Sequence, residues 1–383
     1  MSLALVQNPE RENWNAFVSA QQGSSLYQSY EWGQIRKVQG WEPYYVAVAD
    51  EAGWVGAALV LVKRLPGGVG SLLYSPVGPL MAQSAGTPME NVLPVLVSAV
   101  REIARRVGGV FWRIEPRVRA DDSEGGDWIE HAGFRRIPQE WSYWNRPKYD
   151  MHLDISGGEA AVLSRISSRT RNKIRHSKKR GLAIEVGHDD RDVETLYRLM
   201  MNTGAKKRIP VRGLGHFHTL FWTLEKSGMG RLFIARKDGE PVAAGMSSRF
   251  GPVGLLLYLS SDYSMKYAGW AVQWEMIRWA IGLGCATYDF AGTGTSYPPK
   301  ETDKGYGVYQ FKRSLGAEIV SWYGYADYVF SPVRYQTFRA VERSLPYGER
   351  LFLDWPKGLL YRLRARKKTA EEADPETSKD GGG

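Results

Sequence analysis

Two stretches of the chain carry the same order of apolar and polar positions. In the first, Tyr44-Tyr45-Val46-Ala47-Val48-Ala49 runs into a turn at Asp50-Glu51-Ala52-Gly53, followed by Trp54-Val55-Gly56-Ala57-Ala58 and then Ser71-Leu72-Leu73-Tyr74. In the second, Leu232-Phe233-Ile234-Ala235-Arg236 meets a turn at Lys237-Asp238-Gly239, followed by Glu240-Pro241-Val242-Ala243-Ala244-Gly245 and Gly254-Leu255-Leu256-Leu257-Tyr258. Runs of strand formers broken at Asp/Gly predict an antiparallel meander in each half. A helical period follows each meander, over Met89 to Val107 and over Ala271 to Leu283, where Val272, Met276, Trp279 and Ala280 share a face. A further strand is predicted after each helix, Val110 to Glu115 and Ala286 to Phe290. Chance likeness between two hairpins would not extend to the later elements, so the pattern predicts a duplicated α/β domain. The hinge is expected near Asn145-Arg146-Pro147-Lys148-Tyr149. Beyond Gly316, an aromatic strand region from Ile319 to Phe330 and a helix from Pro332 to Ser344 are expected to return to the first domain. The domains are then 1–147 completed by 318–366, and 148–317, with a disordered tail at 367–383 that has almost no apolar residues.

Composition narrows the chemistry. The 383 residues, 43% of them hydrophobic, suffice for two packed cores. The single cysteine, Cys285, excludes an intramolecular disulfide, a cysteine zinc cluster and a CxxC redox pair, and its apolar setting predicts a buried, inert thiol. His216 and His218 are the one close histidine pair, without carboxylates at ligand spacing, so no metal is expected. There is no GxSxG elbow, Walker loop or helix-opening GxGxxG; Gly292-Thr293-Gly294-Thr295 runs into Tyr297-Pro298-Pro299 and is read as a flexible loop. With no basic secretory n-region and no apolar stretch long enough to span a bilayer, a cytoplasmic, monomeric protein is expected.

The formal net charge of +10 favours an acidic partner, and its densest source is the segment from Arg165 to Arg180. Arg165, Arg169, Arg171, Lys173, Arg175, Lys178, Lys179 and Arg180 lie there with no acid between Glu159 and Glu185. Leu163, Ile166, Ile174 and Leu182 leave one apolar edge, which predicts a helix docked on a domain and stopped at Gly181. A solvated helix face is the plain alternative. A chain of phosphates is the partner that best suits an extended patch.

The order of elements resembles that of GNAT acyltransferases. Those enzymes hold the acyl-CoA pyrophosphate on a glycine-rich loop at the start of the central helix. Here that position reads Tyr267-Ala268-Gly269-Trp270-Ala271-Val272-Gln273-Trp274, and the bulk of Trp270 and Trp274 makes acyl-CoA a poor fit. Five further motifs stand in order: Tyr27-Gln28-Ser29-Tyr30-Glu31-Trp32-Gly33 with Lys37 and Gly40-Trp41; Thr170-Arg171-Asn172 with Ile174-Arg175, Lys179 and Gly181; Ala271-Val272-Gln273-Trp274-Glu275 with Trp279-Ala280; Tyr288-Asp289-Phe290 with Gly292; and Tyr309, Phe311-Lys312 and Gly316. With these motifs, from roughly Trp14 to Tyr328, the chain resembles the Fem family of tRNA-dependent aminoacyltransferases. It lacks a heptad run between Asp190 and Arg231, so it is more similar to the compact FemX type than to the FemA/FemB type with a coiled-coil arm.

That resemblance implies an α/β fold of two GNAT-like domains in tandem. It also implies transfer of Gly, Ala or Ser from aminoacyl-tRNA to the side-chain amine at position three of a peptidoglycan precursor, UDP-MurNAc-pentapeptide or lipid II. No cofactor is implied, because the activated ester arrives on the tRNA. Lys312, after Phe311, matches the family lysine at the acyl-transfer centre, with a surface lysine at a strand start as the alternative. Glu115 matches a family Asp and would orient the acceptor amine or take its proton; a salt bridge with Arg113 or Arg117 is its rival. Lys37 and Arg212 match acceptor-binding residues, with Arg208 an alternative to Arg212. His216 stands where the family has tyrosine, and Tyr258 matches a further acceptor-contacting tyrosine or is a core aromatic. Arg165, Arg169, Arg171, Lys173, Arg175, Lys178 and Lys179 form the expected tRNA footprint, which anionic lipid at the inner membrane face would also satisfy. Asp289 is read as structural. The runner-up functions are an acyl-CoA N-acyltransferase and a non-catalytic RNA- or membrane-surface-binding protein.

Overall fold

A computed structural model of the chain describes residues 3–6, 9–65, 68–82, 89–138, 149–207, 211–262, 265 and 267–344. The expected hinge residues 145–148, the tail 367–383 and Arg208 lie outside these, as do the side chains of Lys178 and Lys179.

The first lobe opens with β1 (Ala4–Val6), α1 (Arg11–Ala20) and α2 (Tyr30–Val38). Ser29 caps α2, its hydroxyl accepting from the Trp32 N–H at 3.0 Å. The meander follows as β2 (Glu42–Asp50), β3 (Gly53–Arg64) and β4 (Ser71–Ser75), with β5 (Leu80–Met81) beside β3. Helix α3 (Met89–Val107) then leads to β6 (Gly109–Ile114), α4 (Ser123–His131) and β7 (Arg135–Ile137). The second lobe repeats the plan. It comprises β8 (Tyr149–Asp154), α5 (Gly158–Arg165), α6 (Ser168–Lys179), β9 (Leu182–Gly187), α7 (Asp190–Lys207) and α8 (Leu214–Lys226). After these come the meander β10 (Gly230–Lys237), β11 (Glu240–Phe250) and β12 (Val253–Ser261), then α9 (Ala268–Gly282), β13 (Thr287–Gly292) and α10 (Tyr306–Ser314). The chain closes with β14 (Glu318–Ser321), β15 (Tyr325–Val329) and α11 (Pro332–Ser344).

Strand order is β1-β2-β3-β4-β6-β15-β7 in one sheet and β14-β8-β13-β12-β11-β10-β9 in the other. In each, the last meander strand pairs in parallel with the strand after the long helix, β4 with β6 and β12 with β13. Strand β15 enters the first sheet between β6 and β7. Strand β14 does not accompany it. Residues 318–321, expected with the first domain, pair with β8 of the second sheet, so the chain crosses between sheets after Ser321.

Burial explains why the central strands read as nearly continuous apolar runs: both faces are covered. Along β3, Ala57, Leu59 and Leu61 face one core while Ala58, Val60 and Val62 face another. Along β10, Leu232 and Ile234 face the first of these cores, whereas Phe233 and Ala235 face a third, against α9. The shared core takes Trp14 and Val18 of α1, Ile35 of α2, Leu196 of α7 and Phe217 and Phe221 of α8. A layer of helices therefore lies between the two sheets, with α3 on the far face of the first and α9 on the far face of the second. This sandwich sets where the lobes meet.

Candidate active site at the joint of the two lobes

Strands β12 and β13 pair in parallel only from Val253–Thr287 to Leu255–Asp289, although both run on beyond it. A parting between parallel strands at their carboxyl ends is where open α/β sheets take ligands. Tyr258 lies past the last pair on one strand, and Gly292 past it on the other.

On the β13 side the backbone bulges between Asp289 and Gly292, and Ala291 adopts φ +57°, a left-handed conformation that an alanine resists. Asp289 holds it there, its Oδ1 accepting from the Ala291 N–H at 2.6 Å. Asp289 thus caps the corner as expected. The bulge turns two carbonyls toward α10, and Lys312 Nζ donates to Gly292 O at 2.6 Å and Ala291 O at 3.2 Å. Lys312 is only 5% exposed and lies in a helix, which disposes of the surface strand-start alternative. Burial lowers its pKa from 10.5 to about 8, against the opposing pull of Asp289 and Asp150. Such an ammonium can both stabilise an anion and release a proton near neutral pH. Phe311 packs in the α9 core beside it, its ring 5.0 Å from Trp270.

The first lobe reaches into this site through Arg117. Its Nη1 donates to Asp150 Oδ2 at 2.6 Å, its Nη2 lies 3.9 Å from Asp289 Oδ2, and its guanidinium covers the Trp322 ring at 4.5 Å. The Arg117 stem crosses Gly23, where a Cβ would come within 2.6 Å of Arg117 Cβ. Asp150, His152 and Asp289 are the one His/Asp group of metal-ligand size among the described residues. Arg117 and Lys312 already set two positive charges against those carboxylates, so the donor set does not favour a cation.

Glu115 lies at the end of β6, buried, accepting from Tyr74 Oη at 2.9 Å. Neither rival salt bridge is present: Arg113 pairs with Asp327 and Glu342, and Arg117 with Asp150.

On the Tyr258 side, His216 Nε2 is 2.8 Å from Tyr258 Oη, and His216 Nδ1 is 2.6 Å from Gln39 Nε2 at the end of α2. Burial first, then Arg212 and Arg36, lowers the His216 pKa to about 3, while burial pushes Tyr258 up to about 12. Both are therefore neutral at physiological pH. Arg212 is exposed at the start of α8 with its field on both rings. Lys37 lines a cleft of about 740 Å³ together with Trp41, Lys63, Arg64 and Arg106.

The basic segment does form a helix, α6, with Ile174 buried on its apolar edge and Gly181 at φ +76° beyond its end. Its cations are not equivalent. Arg171 braces the α5–α6 turn, its Nη1 donating to Leu163 O at 2.9 Å and Ile166 O at 2.5 Å. Arg165 binds Asp154 through its side chain at 3.1 Å and its carbonyl at 2.8 Å. Lys173 lies 4.1 Å over the Trp270 ring. Arg169 and Arg175 are exposed, and Arg169, Asn172, Lys173 and His176 line a hollow of about 600 Å³ with Tyr267. Trp270 itself is fixed by its Nε1 donating to Ser314 Oγ at 3.2 Å and by its packing on Phe311.

This arrangement matches the FemAB family over residues 10–232 and a GNAT acetyltransferase domain over residues 164–313. The chain belongs to the FemAB family. The crystal structure of FemX superposes with a TM-score of 0.80 at 20% identity, covering 88% of this chain and 100% of that one. A tandem GNAT protein from the clavulanic acid biosynthesis pathway has a TM-score of 0.53 at 13% identity, covering 86% and 99%. The lipid II:glycine glycyltransferase of Staphylococcus saprophyticus subsp. saprophyticus is 23% identical over 403 residues, 86% of this chain and 94% of that protein. The FemAB protein is thus a transferase on a tandem GNAT fold.

Sequence reasoning missed Arg117, Asp150, Trp322, Arg36 and Gln39. Arg117 was weighed only as a partner of Glu115, and its partners lie across the lobe boundary. No local pattern marks Gln39 or Asp150.

Proposed function

We propose that this FemAB protein moves an amino acid from aminoacyl-tRNA to the side-chain amine at position three of a peptidoglycan precursor stem peptide, as an early step of interpeptide bridges. The acceptor is UDP-MurNAc-pentapeptide or lipid II, the substrate named for the staphylococcal relatives. The observation that carries the reading is Lys312: a buried ammonium fixed by two carbonyls where β12 and β13 part.

In this reading the acceptor amine attacks the ester carbonyl of the aminoacyl-tRNA. A C–N bond forms, and the ester C–O bond to the tRNA ribose breaks. Lys312 stabilises the oxyanion of the tetrahedral intermediate and can supply the proton that leaves with the ribose hydroxyl. The amine must first lose a proton, and Glu115, oriented by Tyr74, is the carboxylate proposed to receive it. Arg212, His216 and Tyr258 face the acceptor phosphates. A guanidinium suits adjacent phosphates because its fork of donors matches their oxygens.

The tRNA lies against α6, held through phosphates rather than bases. The exposed pair Arg169 and Arg175 carries that contact, with Arg171 keeping the helix in place. A double Arg169→Ala/Arg175→Ala variant is expected to weaken tRNA binding and to lower the slope of log affinity against log salt by roughly 1.5. An unchanged slope would return α6 to a solvated face.

The direct test is purified protein with UDP-MurNAc-pentapeptide or lipid II and a panel of charged tRNAs, read by product mass. One added aminoacyl residue supports the reading. No mass change with any donor and acceptor pair refutes it.

A further inference from the structure

Arg36, Gln39, His216 and Tyr258 form one chain of hydrogen bonds across the lobe boundary, and the direction of each bond can be assigned. Arg36 Nη1 donates to Gln39 Oε1 at 2.5 Å. A guanidinium has no acceptor, so the amide oxygen must face it and the Gln39 NH₂ must face His216. The guanidinium is fixed in turn, stacked 4.8 Å over Trp41. Gln39 Nε2 therefore donates to His216 Nδ1 at 2.6 Å, and Nδ1 carries no hydrogen. Burial keeps the ring neutral, with its pKa lowered to about 3. Its one N–H is then on Nε2, which donates to Tyr258 Oη at 2.8 Å. The hydroxyl of Tyr258 is thereby used as an acceptor, and its own proton is left to donate elsewhere.

We propose that Gln39 is a positioning residue: it fixes the ring tautomer of His216 and so presents the Tyr258 hydroxyl as a donor to an anionic phosphate oxygen of the acceptor. With the opposite tautomer, Tyr258 would spend its proton on His216 Nε2 and meet the ligand with lone pairs. Arg36 and Arg212 both act on His216 and Tyr258, so the oxygen that meets the donor also lies in a positive field. The ligand class rests on the functional reading above. The tautomer does not.

Gln39→Glu separates the two. Its carboxylate keeps the Arg36 contact but can only accept, so a neutral His216 places its hydrogen on Nδ1 and takes the Tyr258 proton at Nε2. In ¹⁵N-histidine-labelled full-length protein, long-range ¹H–¹⁵N spectra are expected to show the Nε2–H tautomer at His216 in the wild type and Nδ1–H in the variant. The dissociation constant for UDP-MurNAc-pentapeptide should rise about 10- to 100-fold, the range of one lost bond to a charged group. Tyr258→Phe should cost as much, and adding Gln39→Glu to it should cost nothing further. An Nδ1–H tautomer in the wild type, a tautomer switch with unchanged affinity, or additive losses would each overturn the proposal. If the wild type binds no UDP-MurNAc-pentapeptide, the acceptor reading fails there, while the spectrum still decides the tautomer.

Discussion

Lys312→Met is expected to reduce turnover about 10²- to 10³-fold, the scale of one lost transition-state donor to an oxyanion. Methionine matches the length of the lysine stem and suits a site that is already 95% covered by protein, so the helix α10 should survive. The substitution leaves the carbonyls of Ala291 and Gly292 without the Nζ donor, which should cost about 1–3 kcal/mol of stability. Activity should fall far more than stability. The pH profile gives the second readout. With a pKa near 8, the ammonium is present below that value and lost above it, so the wild-type rate should decline as pH rises through about 8. That decline should be absent from the residual activity of the variant. An alkaline limb persisting in Lys312→Met would assign it to another group, and near-normal turnover would remove Lys312 from the chemistry. A Glu115→Gln variant with full rate at every pH would likewise remove Glu115 as the base.

Arg113→Met is expected to destabilise the protein by about 3–5 kcal/mol, because in a dry interior it leaves Asp327 without a cation and Glu342 with Arg339 alone. Arg113 is fully buried. Its Nε and Nη2 reach Asp327 at 2.7 and 2.8 Å, and its Nη1 reaches Glu342 at 2.8 Å. Those carboxylates more than offset the desolvation of the guanidinium and hold its pKa well above the usual value. Asp327 is the cross-strand neighbour of Arg113 in the β6–β15 pair, and Glu342 is on α11. The pair of ion contacts therefore clasps the returning C-terminal segment onto the first sheet, with Tyr335 Oη donating to Asp327 at 2.9 Å. Urea unfolding should show the loss, and hydrogen exchange should show β15 and α11 opening first. Replacing Arg113 and Asp327 together by apolar residues, with Glu342 kept for Arg339, should recover part of the stability. A single-variant loss below about 1 kcal/mol would mean that water enters this network.

The two meanders and their helices were legible because burial on both sheet faces leaves a continuous apolar run between turn residues, as from Val55 to Val62. Helix α3 ends at Val107 and helix α11 begins at Pro332, the residues the apolar spacing predicts. The split of the aromatic region into β14 and β15 was not legible. Residues on both sides of Trp322 suit a strand, and only the partner, β8 or β6, decides which sheet takes each. Lys312 could be named from Phe311-Lys312, but not its burial. The carbonyls that hold it come from an alanine in the left-handed region, a conformation imposed by Asp289 rather than by local preference. The same holds for the cations of α6. Charge density marks the patch, yet the bracing role of Arg171 depends on where the carbonyls of Leu163 and Ile166 point after the turn. The loop after Gly292 was read as flexible from its glycines and prolines. It is tied down by Asp303, whose Oδ2 accepts from the Ser296 and Lys300 N–H groups at 3.1 and 2.8 Å.

The identity of the donor can be settled by offering the same enzyme and UDP-MurNAc-pentapeptide either glycyl-, alanyl- and seryl-tRNA or acetyl-CoA, each with and without ribonuclease. The bulk of Trp270 and Trp274 in the first turns of α9 and the basic face of α6 predict product only from charged tRNA, abolished by ribonuclease. Acetylated product from acetyl-CoA, formed equally well after ribonuclease treatment, would contradict the account.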